Sequence, residues 1–585
     1  MTTLETIKKE ILAQLSGLLP PDLAVSATDL VRPPKPEMGD LAFGCFGASK
    51  LLKKNPAAVA QELASGYKTG GFIAAVRALG PYLNFDLDRS AYSAAVIGEV
   101  LSARDGYGTR AATGERVMIE YAQPNTHKEF HVGHLRNICL GIAVVNLGRA
   151  AGQEVIPVSY MGDIGSHVAK CLWCLKKFHA DEMEKYRQSP ELNRGKFLGQ
   201  IYAEATRRVD EDEKLKEEIA DVQRRLEARE PEWDALWRET REWSLVEFKE
   251  IFAELGVEIE RAYYESEVEE PGKKLVRELL AKGLAEIGER EAIIVNLEKY
   301  SLGIFLALKG DGSSLYATKE LALAQLKFSE YQNVSRSIHV VDSRQSLYFK
   351  QFFKTLELMG FDKLKTTHLA YEFVTLKEGA MSSRKGNIIA YEDFRDELAS
   401  RVAGETRQKQ PDWSESRIKE TAWLVAEGAM KFGMLKQDPD KPIVFDIEAA
   451  LAFDGFTGPY IQYAHARLSS IIAKASPYAK AAGDKGGVPA ATKFGAAEEN
   501  ENALVARIAE YPEIVAGAAA AFKPSILAQY LFDLAQAAND YYRDVPVIAA
   551  ASAAEREHRL LVIEAACLTI ENGLRILGIK APREM

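Results

Sequence analysis

Cysteine is scarce in this chain, with 5 in 585 residues. That is too few for a disulfide-held scaffold and points to a reducing compartment, the cytoplasm. Long apolar runs are missing as well. No stretch of about 18 uninterrupted apolar residues occurs, which excludes an α-helical membrane span. Residues 1–15, with Glu5, Lys8, Lys9 and Glu10 among the apolar positions, read as an amphipathic helix without the apolar centre of a secretory signal. Positive charge is not in excess either. A net charge of −10 argues against a protein that coats nucleic acid, so any contact with RNA must be made by local patches. There is no internal repeat. What remains is an ordinary globular composition, 47% hydrophobic and 27% charged, in a chain long enough for three or four domains.

The densest chemistry lies at 120–137, in Glu120-Tyr121-Ala122-Gln123-Pro124-Asn125-Thr126-His127-Lys128-Glu129-Phe130-His131-Val132-Gly133-His134-Leu135-Arg136-Asn137. A compact apolar strand delivers two histidines onto the start of a helix. Unpaired N–H groups at a helix N-terminus favour phosphate, and Gly133 lets a ligand approach where a side chain would collide. Imidazoles at 131 and 134 can donate to oxygens that gain charge as a phosphoester reacts. Far downstream stands Met381-Ser382-Ser383-Arg384-Lys385-Gly386, a donor-rich loop bounded by Gly379 and Gly386. Such a loop can close over a leaving anion.

These two segments resemble the His-Ile-Gly-His and Lys-Met-Ser-Lys-Ser signatures of class I aminoacyl-tRNA synthetases. With Tyr460-Ile461-Gln462-Tyr463-Ala464-His465-Ala466-Arg467, the chain is similar to the arginyl-tRNA synthetases in particular, over nearly its whole length. The resemblance implies ATP, with Mg²⁺ on its phosphates, as cosubstrate. The partners it implies are L-arginine and an arginine-accepting tRNA, with no membrane and no DNA. The reaction is activation of arginine to its adenylate and transfer to the 2′-hydroxyl of the terminal adenosine, by a monomer. Rival readings are a synthetase for another amino acid, a small-molecule adenylyltransferase, and a tRNA-binding paralogue that has lost catalysis.

The expected fold is an α/β Rossmann-like catalytic domain with a parallel sheet, a small α+β N-terminal domain and an all-α C-terminal bundle. Residues 1–110 form the first unit, which the resemblance places at the tRNA elbow. Residues 111–375 form the catalytic domain, in which a strand, helix, strand succession from Arg116 fits a right-handed βαβ crossover. Within it, about 176–290 read as a charged helical insertion. The second half of the sheet is expected to return at 292–297, 304–308, 337–341 and 368–374. Residues 376–453 hold the signature loop and connecting helices, everything beyond Asn387 reads as helical, and 476–499 as a loop inside the anticodon-binding domain, 454–585.

By resemblance, His131 and His134 sit on the phosphates, with Gly133 under the adenine or ribose. Met381 anchors the signature loop, while Ser382, Ser383, Arg384 and Lys385 donate. Ser383 stands where the class has its second lysine, and Lys128 or Lys385 must then carry that charge; we take Lys128 as the carrier, assisted by Arg384 and Lys385. Arginine is expected on Glu120 and Asn125 through its α-amino and carboxylate groups, with His134 close by. Its guanidinium falls to Tyr316, Glu320 and Gln345. Glu320 replaces the family's usual aspartate, one methylene shorter, and Arg344 puts a cation where an acid is usual. For tRNA, the helix bearing Tyr460, Gln462, Tyr463, His465 and Arg467 interleaves aromatics with cations and continues through Tyr530, Tyr541, Tyr542 and Arg543, which suits unstacked bases. Cys171 and Cys174, flanked by His167 and His179, read as helix packing and not zinc, because structural zinc draws ligands from two separate knuckles.

Overall fold

The computed structural model describes residues 1–361, 363–377, 390–481 and 499–585. The chain opens with the helix Thr3–Leu18, which starts where Thr2 and Glu5 cap each other reciprocally. It packs beside an antiparallel sheet of four strands, in the order Leu30–Val31, Leu41–Gly44, Tyr82–Leu87 and Ile73–Leu79. The helix Arg89–Ala103 then leads out of this α+β unit.

The centre of the molecule is a five-stranded parallel sheet. Its strands are β1 (Arg116–Glu120), β2 (Glu154–Met161), β3 (Arg261–Tyr264), β4 (Arg336–Asp342) and β5 (Lys365–Tyr371), in the spatial order β5-β4-β1-β2-β3. Register sets Glu120 beside Val158 on one side and His339 on the other. Strand order therefore reverses around β1, and a ligand crevice opens at its carboxyl end. Helix α1 (Val132–Ala150) follows β1 and is buried on nearly every face. The reason is position: it lies between the sheet and the C-terminal helices, so no polar stripe is needed. Helix α2 (Tyr316–Glu330) precedes β4.

Three expectations are corrected. Ile293–Asn296 and Ile304–Leu308 do not join the parallel sheet but form, with Glu286–Ile287, a separate antiparallel one. Their connection turns through Ser301 and Gly303, both at positive φ, and is far too short for a parallel crossover. The edge place in the main sheet goes to β3, which lies within the stretch expected as the helical insertion. The insertion's helices occupy Ala180–Gln188, Arg194–Glu211, Leu215–Glu227 and Pro231–Leu255, between β2 and β3. Beyond Asn387 the chain is not wholly helical, because Ile443–Phe445 pairs in parallel with Val374–Leu376.

The last domain consists of the helices Gly458–Ala481, Glu499–Ala521, Pro524–Asp544 and Ala553–Ile576. The first runs into the stretch expected as a loop, and 482–498 lie outside the described residues. No described helix is long and apolar enough to cross a membrane.

Candidate active site

The corner after β1 is held by polar contacts from its neighbours. Ala122 and His127 both adopt left-handed backbone conformations, φ 56° and 60°, which cost free energy outside glycine unless the surroundings enforce them. The Ala122 N–H donates to Asn137 Oδ1 at 2.7 Å, and its carbonyl accepts from the Ser159 hydroxyl at 2.6 Å. His127 is fully buried, with its backbone N–H on Ser244 and its ring on Thr126 and Thr240. Two glycines bring the flanking elements close. A Cβ at Gly141 would lie 2.1 Å from the Tyr121 ring, and one at Gly162 would lie 2.1 Å from Asn125 Oδ1.

His131 caps α1. Its Nδ1 accepts from the Gly133 N–H at 3.1 Å, while its own N–H donates to Nδ1 of His134 at 3.2 Å. The two rings stack with centroids 3.8 Å apart. Because backbone N–H groups occupy both Nδ1 atoms, each neutral ring carries its proton on Nε2 and presents one donor. Burial lowers His131 to about 4 and His134 well below the usual histidine range, Lys128 adding to both, so neutral rings dominate at physiological pH. Lys128 lies half-buried over the Tyr202 ring at 5.2 Å. Burial, and then Lys170, pull its ammonium below the usual lysine value.

Next to the histidines is a cavity of about 280 Å³. Glu120, Asn125, His134, Tyr316, Glu320 and Gln345 all line it, so the structure brings together six residues that the sequence placed on arginine. It also adds Glu265, at the start of the helix Glu265–Ala281, and Asp342, at the end of β4. Among the described residues no lysine or arginine lines the cavity. Cations stand behind three of its four carboxylates. Glu120 pairs with Lys327 and accepts from Gln123 at 2.8 Å, Glu265 pairs with Lys319 at 2.5 Å, and Asp342 pairs with Arg344 at 2.7 Å. Arg344, unexplained from sequence, is thus a partner for Asp342, its side chain 79% exposed.

Glu320 differs from the other three acids. It is buried, its Oε2 has no hydrogen-bond partner, and no ion pair reaches it among the described residues. Burial, reinforced by Glu265 and opposed by Lys319, raises its carboxyl to about 8. Tyr316 flanks it, 61% exposed.

Sequence reasoning missed Glu265, Asp342 and Lys327. Lys327 had a signal, since Tyr316, Glu320, Leu323 and Lys327 recur at helical spacing on one face of α2. Met381, Ser382, Ser383, Arg384 and Lys385 lie outside the described residues. Their segment is re-entered at Ala390, which bridges to His131, and at Tyr391, whose N–H donates to the Phe130 carbonyl at 2.9 Å.

The structure narrows the set expected on tRNA. Gln462 is fully buried and donates to the carbonyls of Leu424 and Lys580, and His465 is buried on the Pro582 carbonyl. Both secure the helix against its neighbours and offer no surface to a nucleic acid. Tyr460 is half-buried against Phe532 and meets Asn539. Tyr463 and Arg467 are exposed, the latter over the Tyr542 ring at 4.8 Å. Tyr530 and Tyr541 are buried as well.

Cys174, His179 and Glu204 approach within 4.8 Å of one another. The histidine's nitrogens are occupied by Glu182 and Glu204, Glu204 also meets Arg208, and burial raises the Cys174 thiol to about 11, so this is an ion-pair network beside a protonated thiol. A larger cavity, about 640 Å³, lies where the catalytic and C-terminal helices meet, lined by Tyr121, Lys431 and Tyr511 among others, and includes neither histidine. The helix start that carries the two histidines takes no part in its lining.

Three families match the chain in order: arginyl tRNA synthetase N terminal domain over residues 5–87, tRNA synthetases class I (R), catalytic domain, over 96–447, and DALR anticodon binding domain over 461–585. The arginine–tRNA ligase of Bdellovibrio bacteriovorus is 38% identical, covering 100% of this chain and 99% of its own. That of Clostridium acetobutylicum is 33% identical over 99% of this chain and 100% of its own. Among solved structures, Thermus thermophilus arginyl-tRNA synthetase superposes with a TM-score of 0.79 at 28% identity, covering 100% of both chains.

Proposed function

Because the chain belongs to the arginyl-tRNA synthetase family of class I, we propose that its cleft carries out the arginine–tRNA ligase reaction with a division of labour between its two ends. The acidic end takes arginine. Glu320, the one carboxylate of the cavity without a cation among the described residues, receives the guanidinium with Glu265, Tyr316 and Gln345 around it. A planar fork of N–H donors is satisfied by carboxylates converging in this way. Glu120 and Asn125 then meet the α-amino and carboxylate groups. This orientation aims the carboxylate toward His134 and the start of α1.

The nitrogen-rich end takes ATP. Each imidazole offers an Nε2–H donor to phosphate oxygens, Lys128 supplies the fixed positive charge, and Gly133 leaves room for the nucleoside. The arginine carboxylate oxygen attacks the α-phosphorus and the bond to pyrophosphate breaks, forming the mixed anhydride. Charge spreading onto the departing pyrophosphate is met by Lys128, with Arg384 and Lys385 completing the site. In the second step the terminal 2′-hydroxyl of tRNA attacks the acyl carbon and AMP leaves. The donors at this end are nitrogen and not carboxylate oxygen, a set that fits phosphates and leaves Mg²⁺ to be held by the nucleotide itself. Tyr463 and Arg467 offer the exposed stacking and charge for the anticodon loop, and the N-terminal domain offers a surface for the elbow. A cytoplasmic setting accompanies this role.

The observation that carries the arginine assignment is the unpaired, buried Glu320. Amino-acid-dependent pyrophosphate exchange in the presence of tRNA tests it: arginine should be activated, and citrulline, which has the same shape without the charge, should not. Equal activation of citrulline would overturn the assignment.

A further inference from the structure

Lys327 is a deeply buried cation beside the cleft, with 1% of its surface exposed. It stands seven residues beyond Glu320 on the same face of α2, and its ammonium pairs with Glu120, itself 1% exposed. The ammonium also lies over the Tyr263 ring, at 5.8 Å. His339 adds no charge there, since burial holds it neutral, and its Nδ1, 3.6 Å from Glu120 Oε1, makes no hydrogen bond. A lysine in such a place is costly to bury, and replacing it and its partner by neutral groups often costs little stability. Its presence therefore calls for a role besides stability.

The charges supply one. Among the described residues four carboxylates line the cavity and three are matched, by Lys327, Lys319 and Arg344, which leaves one net negative charge on these groups when Glu320 is ionised. Arginine carries a guanidinium, an ammonium and a carboxylate, and hence one net positive charge. The same molecule without its carboxylate, agmatine, carries two. We propose that Lys327 is a positioning and specificity residue: by pairing with Glu120 it holds the cavity at a single net negative charge, matched to arginine and mismatched to decarboxylated amines of the same shape. This rests on the cavity being the arginine site. Glu120 still accepts the substrate ammonium, but as a neutralised pair it gives no premium to a dication.

The test is equilibrium binding of L-arginine and of agmatine to the full-length protein by calorimetry, read as the ratio of the two affinities. Lys327→Met should shift the ratio toward agmatine on the order of tenfold, the size expected for one partly screened unit charge. Lys327→Arg should keep the wild-type ratio. Glu120→Gln, which removes the negative member and leaves Lys327, should shift the ratio the opposite way. The double variant Glu120→Gln/Lys327→Met should bring it back, since both ligands lose the same ammonium contact. The opposite shift in Glu120→Gln keeps the test decisive even if Lys327→Met does not fold. A Lys327→Met protein that loses both ligands equally, or a Glu120→Gln ratio that does not move, would overturn the proposal. Wild-type protein that binds neither ligand would instead remove the arginine site on which it rests.

Discussion

The two ends of the cleft solve the same problem with opposite chemistry. At one end stand carboxylates, at the other imidazoles and an ammonium, and burial shifts each toward its neutral form: Glu320 rises to about 8, while His131, His134 and Lys128 fall. Both ends therefore hold groups whose charge a ligand would stabilise. The difference lies in what stands behind them. The acids are backed by three cations, so one charge is left for the substrate, whereas the histidines are fixed by backbone N–H groups, which set proton position and add no formal charge. In the proposed division of labour, the acidic end selects the amino acid and the nitrogen end serves the phosphate chain placed there.

The comparison is broken most severely at the nitrogen end. Lys128→Met should slow adenylate formation by about 10² to 10³-fold with tRNA affinity unchanged, as for removal of a preorganised group facing developing charge. Pyrophosphate exchange and filter binding read the two quantities separately, and an unaltered exchange rate would return the charge to the signature segment. At the acidic end, Glu320→Gln should weaken arginine binding about 10²-fold and leave ATP binding intact, the loss expected when one partner of a buried charge pair is removed.

A smaller effect sharpens the contrast by pH. Only ionised Glu320 can pair with a guanidinium, so arginine affinity should fall about tenfold per unit as pH drops below about 8, level off above it, and lose this dependence in Glu320→Gln. The same raised value means that the empty protein loses stability as pH rises through about 8, since the unfolded carboxyl already ionises near 4.5. Denaturant midpoints of the two proteins at several pH values would show it. The smallest expected effect lies outside the cleft. Arg467→Ala and Tyr463→Ala should each weaken tRNA binding about fivefold, roughly 1 kcal/mol, the low end of the range for a stacked base, without altering adenylate formation. Gln462→Ala should instead lower stability.

Much of this is legible in the sequence itself. The strand to helix corner could be read because a β-rich apolar run, a glycine and two histidines are contiguous, and contiguous residues meet by local geometry alone. Glu320 and Gln345 were reachable only through resemblance, because what joins them to Glu120 is sheet order. Glu265 was hidden for the same reason: nothing local distinguishes it from the other acids of its helix, and its place depends on β3 taking the edge. The antiparallel hairpin at 293–308 was misplaced because apolar period alone does not tell a parallel strand from an antiparallel one; the short connection between its strands does. Gln462 and His465 misled because a polar side chain on a helix is read as exposed, whereas here each finds backbone carbonyls inside.

The glycines at 141 and 162 bear on how such an enzyme could change. A methyl group at either would drive into Tyr121 or Asn125, so the backbone that carries both ends of the cleft leaves selection almost no neighbouring sequences to sample there. The wall made by Tyr316 and Gln345 carries no such restriction. Altered amino-acid preference, whether by drift or by directed evolution, should accumulate along that wall while the corner stays the same from variant to variant.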